Sequence, residues 1–124
     1  MIKLLLVDDQ PSVRMGLRMR LALEPDVAVV GEAGDGEAAI TLARTLHPDV
    51  IVMDVKMPHM DGIVTTEALR AAVPYSSVVI LSLYDDAITR ARAEAAGASA
   101  FIQKQGPMDV LLAAIRQIMP QSST

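Results

Sequence analysis

A chain of 124 residues falls within the roughly 100 to 150 usual for one compact domain, so one core is expected and two domains are not. Eleven basic residues against fifteen acidic ones leave a net charge of -4, which argues against a nucleic-acid surface on this chain, and the absence of cysteine excludes a disulfide staple. Although 52% of the residues are hydrophobic, the longest unbroken apolar run is 110–115, far short of the about 20 residues that span a bilayer, and the opening segment 1–7 runs into Asp8 and Asp9, which does not suit a signal peptide; no membrane contact and a cytoplasmic location are expected.

In chain order, short apolar runs rich in β-branched residues alternate with longer stretches of helical period. The run 4–7 reads as a first strand, followed by a helix over 11–24 that Pro11 opens and Pro25 closes. A second strand over 27–30 leads through Glu32 and glycines, read as ordinary turn chemistry, into a helix over 36–46 stopped by Pro48. The third strand, 50–53, precedes a helix over 63–72 with Pro74 behind it. The fourth strand, 78–81, precedes a helix over 86–96 stopped by Gly97. A weaker fifth strand over 100–102 leads to a last helix over 107–119 that Pro107 opens. Strands that are apolar throughout suit a parallel sheet covered by helices on both faces, so the class is α/β. Residues 1–120 then form the domain, and the polar residues 121–124 read as a tail or the start of a linker.

Ligands of open α/β sheets bind beyond the carboxyl ends of the strands. There the sequence sets Asp8 and Asp9 after the first strand, Asp54 after the third, Ser82 after the fourth and Lys104 just past the fifth. Carboxylates gathered at one rim repel by a few kcal/mol per close pair at an effective dielectric near 20, so a cation should join them. Oxygen ligands without a thiol or converging histidines select Mg²⁺. A lysine ammonium and a serine hydroxyl offer a point charge and a donor to phosphate oxygens. The set reads as a phosphoryl site in which Asp54 is the nucleophile and becomes an aspartyl phosphate. Singly, each residue has an ordinary explanation as a helix cap, a turn hydroxyl or a solvated charge. Capping accounts for the acids but not for the lysine. Gly31, Gly34 and Gly36 do not make a dinucleotide fingerprint, and His47 and His59 have no second histidine near in sequence with which to bind a metal.

Four segments, LLLVDDQPSVRMGL (4–17), PDVIVMDVKMPHMDG (48–62), VVILSLYDD (78–86) and AGASAFIQKQGP (96–107), together resemble the receiver domain of two-component response regulators over essentially the whole chain. The phrases VVGEAGDGEAA and LLAAIRQI are most similar to receivers that precede a LuxR-type helix-turn-helix output domain. The resemblance implies a flavodoxin-like (βα)5 three-layer sandwich with a five-stranded parallel sheet of order 2-1-3-4-5. It implies that Asp54 accepts the phosphoryl group from a histidine kinase, and that Asp8, Asp9, Asp54 and the backbone carbonyl of Lys56 hold Mg²⁺. Ser82 and Lys104 then contact the phosphoryl group, and Phe101 is the aromatic switch residue. It also implies a switch that controls transcription, with self-phosphorylation and autodephosphorylation as its only chemistry. Many receivers carry proline after the conserved lysine; here Gln105 follows Lys104, which removes the usual reason for a cis bond. Lys56 and Tyr84 flank the site, and their bulk is expected to slow water reaching an acyl phosphate.

As a switch, phosphorylation must favour the active form by about 5.5 kcal/mol to carry a balance of 1:99 to 99:1. Ser82 drawn toward the phosphate would vacate space into which Phe101 rotates. Two helices have apolar stripes wider than a core needs: the first adds Met15, Met19 and Leu23 to Val13, Leu17 and Leu21, and the fifth adds Val110 and Met119. Generous core contact is the preferred reading, with a homodimer through helices one and five as the sharper one. Two other functions stay open. A phosphatase with an aspartate nucleophile commonly places a second acid where this chain has Lys56, and a pseudo-receiver that only dimerises would have no use for the acidic set.

Overall fold

The computed structural model describes residues 1–57, 59–83 and 86–118. Five strands alternate with five helices: β1 (Ile2–Val7), α1 (Pro11–Leu21), β2 (Val27–Ala33), α2 (Gly36–Leu46), β3 (Val50–Asp54), α3 (Gly62–Ala72), β4 (Ser77–Ser82), α4 (Ala87–Ala95), β5 (Ala100–Gln103) and α5 (Met108–Ile118). The strands are all parallel, in the order β2-β1-β3-β4-β5, which is the expected flavodoxin-like topology.

Alternation along the strands divides the core in two. Leu5, Val7, Ile51, Met53, Val78 and Ile80 point to one face and pack with Ala39 and Ala43 of α2, Ile63 and Leu69 of α3, and Ala93 of α4. Leu4, Leu6, Val50, Val52, Val79 and Leu81 point to the other and pack with Leu21 of α1 and Leu111, Leu112 and Ile115 of α5. Because both faces are covered, neither set of side chains meets water, and the strands need no polar alternation. Each fully buried leucine contributes roughly 1.5 to 3 kcal/mol relative to exposure.

Three helices begin on an aspartate whose carboxylate accepts from a backbone amide in the first turn: Asp35 from Ala38 (2.8 Å), Asp61 from Val64 (2.8 Å) and Asp86 from Thr89 (2.7 Å). α1 has no such cap and starts on Pro11, whose fixed φ and missing N–H suit a first turn. The last turn of α2 ends at His47 in the left-handed region (φ 50°), where its ring packs against Tyr75 and its Nδ1 meets the phenol oxygen. All peptide bonds among the described residues are trans.

Three expectations need correction. α1 ends at Leu21 rather than at residue 24, because Leu23 and Glu24 close tight turns back to Arg20 and Leu21, and Pro25 disfavours helical geometry in the residue before it. β2 runs three residues beyond 30, so Glu32 lies in the strand and not in a turn; a register shift between Leu4 and Leu5 lets the longer strand follow β1 to its end. The wide apolar stripes are not core contact: Met15, Met19 and Leu23 are 52%, 64% and 76% exposed, and Val110 is 46% exposed, since α1 and α5 turn only one side to the sheet. Met119, the tail 121–124 and Tyr84 lie outside the described residues. Among the described residues no helix is long and apolar enough to cross a membrane.

Close approach of backbone fixes one glycine. Gly62 opens α3 directly over the end of β3, its N–H donating to the Val55 carbonyl (2.7 Å), and a Cβ there would lie 2.0 Å from the carbonyl oxygen of Asp54. The Gly62→Ala variant is expected to lose about 3 kcal/mol of stability, read as a lower midpoint in urea unfolding, because neither backbone can retreat without breaking the strand or the helix.

Candidate functional site

Register decides which strand-end residues meet. Val7 lies opposite Met53, Asp54 opposite Leu81, and Ser82 opposite Gln103, so the residues at or just past those positions stand side by side at one rim. The rim opens into a cleft of about 530 Å³ whose walls include Asp9, Gln10, Asp54, Lys56, Ser82 and Lys104. Every residue singled out at the strand ends is thus at this one mouth, with Asp8 set beneath it.

Asp8 is almost wholly buried, and its carboxylate is held twice: Oδ1 accepts from the Gln10 amide (2.9 Å) and Oδ2 meets Lys104 Nζ (2.8 Å). The same ammonium lies 3.2 Å from Oδ2 of Asp54, which is 7% exposed. Asp9 is exposed, yet one oxygen from each of Asp8, Asp9 and Asp54 lies within 4.8 Å of the others. Lys104 reaches this position because its backbone N–H donates to the Ser82 carbonyl (2.7 Å), extending the β4·β5 pairing one residue past the strand.

At such separations each carboxylate pair repels by roughly 3 kcal/mol at an effective dielectric of 20. Burial raises the Asp54 carboxyl above its ordinary range, and the neighbouring Asp8 charge adds to the effect; Lys104 only partly counters them. Burial presses the Lys104 ammonium down, but its hydrogen bond to Asp8 and the charge of Asp54 prevail and the net direction is upward. Three negative charges and one positive leave -2 in the cleft. A hard divalent cation among oxygen donors matches both that charge and that donor set.

Residues 4–116 match the response regulator receiver domain family. The chain belongs to that family. It is 40% identical over 115 residues to the transcriptional regulatory protein YxjL of Bacillus subtilis, covering 93% of this receiver and 53% of that protein. It is 36% identical over 114 residues to the nitrate/nitrite response regulator NarL of Escherichia coli K12, covering 92% and 53%. A LuxR-family response regulator from Aurantimonas sp. SI85-9A1 superposes on the receiver with a TM-score of 0.89 at 34% identity, covering 94% of this chain and 83% of that one. The LuxR-type subfamily expected from the sequence is therefore the right one, and receivers of this family are phospho-accepting switches. The receiver spans about half the length of these two regulators.

One feature of the site escaped the sequence reading. Glu32 accepts from Arg14 Nε (3.3 Å) and from Arg18, and Arg14 also donates to the backbone carbonyl of Asp8. The usable signal was the i, i+4 spacing of the two arginines on α1, which puts both on one side of the helix. Phe101 is not a wall of the cleft; it lies half-buried opposite Ile80, beneath the Arg90 guanidinium 4.6 Å from the ring centre.

The raised Asp54 carboxyl has a stability consequence. The folded chain holds that proton more tightly than the unfolded one, so the group's ionisation costs stability as pH rises through and above the ordinary value of 3.8. In metal-free buffer at pH 7 the Asp54→Asn variant is expected to be more stable than the parent by on the order of 1 kcal/mol, since one repelling charge is removed while Lys104 keeps Asp8. The gain should vanish in melts run below about pH 4, where the parent carboxyl is protonated.

Proposed function

We propose that this receiver takes a phosphoryl group on Asp54 from the phosphohistidine of a histidine kinase in a Mg²⁺-dependent step, in the cytoplasm, and passes the change to a LuxR-type DNA-binding output domain. The observation that carries the reading is the Asp54 carboxylate at the cleft, with the Lys104 ammonium 3.2 Å away and two further carboxylates within 4.8 Å. Asp8, Asp9, Asp54 and the backbone carbonyl of Lys56 would hold the metal. When bound, Mg²⁺ neutralises charge on the phosphoryl oxygens. An Asp54 oxygen forms the new O–P bond as the N–P bond of the donor breaks, and the departing imidazole keeps the electron pair and takes up a proton. Lys104 and Ser82 grip the incoming oxygens, and no general base is required because the nucleophile is already a carboxylate.

Phosphorylation draws Ser82 toward the new group, and Phe101 on the adjacent strand follows, re-shaping the α4·β5·α5 face. The exposed apolar side chains Met15 and Met19 of α1, Leu23 just beyond it and Val110 of α5 support a homodimer through helices one and five.

Intact mass after incubation with acetyl phosphate and Mg²⁺ should show one added phosphoryl group on the parent and none on Asp54→Ala. Steady turnover of a generic phosphoester would instead favour a phosphatase, and failure to take up Mg²⁺ would favour a pseudo-receiver. In sedimentation of the phosphorylated or beryllofluoride-treated chain, Met19→Glu is expected to lower the mass from dimer to monomer, and an unchanged mass removes α1 from the interface.

A further inference from the structure

Asp9 is the weakly held member of the acidic cluster. It is exposed, and among the described residues no side chain hydrogen-bonds its carboxylate, whereas Asp8 and Asp54 both meet Lys104. Its direction therefore comes from the backbone, and above all from the rigid peptide plane that joins it to Asp8. That plane is clamped. The carbonyl of Asp8, which belongs to it, accepts from Arg14 Nη1, and the Asp8 N–H on the other side of the residue donates to the Ala33 carbonyl (3.1 Å) at the end of β2. Arg14 is itself held, because its Nε donates to Glu32 Oε1 (3.3 Å) and the second oxygen of Glu32 takes Arg18. Its side chain is 19% exposed and that of Glu32 is 24% exposed, so the pair is sheltered from the screening that weakens surface ion pairs.

We infer that Arg14 is a positioning residue for the divalent-cation site: it fixes the Asp8–Asp9 peptide so that the Asp9 carboxylate faces Asp54, while Glu32 keeps the guanidinium off the acids. The second half follows from charge. A guanidinium this near three carboxylates would fall onto them and occupy the place a metal needs, unless an acid on its far side competes for it. Glu32 is that acid, and it can compete because β2 extends to Ala33 and carries it to the flank of α1. The inference rests on the metal-binding reading above. It adds two residues that do not touch the ion but set its affinity, as groups behind metal ligands commonly do by ten- to a hundredfold.

The sign of one mutational effect separates positioning from simple charge. Removing a cation beside the site should tighten Mg²⁺ binding if only electrostatics acts, and should loosen it if the Asp9 direction is lost. Calorimetric titration of the full chain with Mg²⁺ alone is expected to show about tenfold weaker binding in Arg14→Gln. Arg14→Lys should be weakened as well, since a lone ammonium lacks the fork that reaches a carbonyl and a carboxylate together. Glu32→Gln should also bind less tightly, and in the metal-free protein the Asp9 amide resonance should shift in all three variants while the thermal transition stays cooperative. Equal or tighter Mg²⁺ binding by both Arg14 variants, with the parent binding normally, overturns the inference. A parent that takes up no Mg²⁺ overturns instead the reading on which it rests.

Discussion

One ammonium organises the centre of this molecule. Lys104 stands between Asp8 and Asp54, at 2.8 and 3.2 Å, and without it two carboxylates would be buried side by side with nothing to balance them. The fold is arranged so that this meeting takes place: β1 and β3 are neighbours, β4 is next, and β5 reaches the rim from the edge. Balance is deliberately incomplete. Three carboxylates against one ammonium leave -2 at the cleft, a charge that a hard divalent cation would match.

The central acids and the lysine were legible in the sequence because a parallel sheet brings all its carboxyl ends to one side, so a polar residue straight after an apolar run has only one place to go. Asp8, Asp54, Ser82 and Lys104 follow from that rule alone. The topology itself needed the family resemblance, since strand order is not written in periodicity. Glu32 was hidden because a charge inside a strand interrupts the apolar pattern and looks like its end, whereas at an edge strand a charged side chain can lean over the neighbouring helix. The apolar side of α1 was hidden for a different reason: spacing tells which residues share a face, but not whether that face is covered.

α1 therefore has three duties on three sides. Leu21 anchors it in the core, Arg14 and Arg18 grip Glu32 beside the acidic loop, and Met15 and Met19 are left to solvent, as is Leu23 in the turn just beyond the helix. α5 is similar, burying Leu111 and Ile115 while Arg116 crosses to Glu24 and Asp26 in the segment that follows α1. The two helices on this side of the sheet are thereby tied at one end by charge and through the sheet by packing, so they present their uncovered apolar side chains in a fixed relation.

The bond from the Lys104 amide to the Ser82 carbonyl has a mechanical meaning. It pairs the backbone of the residue bearing the amine with that of the residue bearing the hydroxyl, so the two side chains leave the sheet from neighbouring, hydrogen-bonded positions. A displacement of the end of β4 would therefore be passed through a backbone bond to the edge strand β5, the strand that carries Phe101.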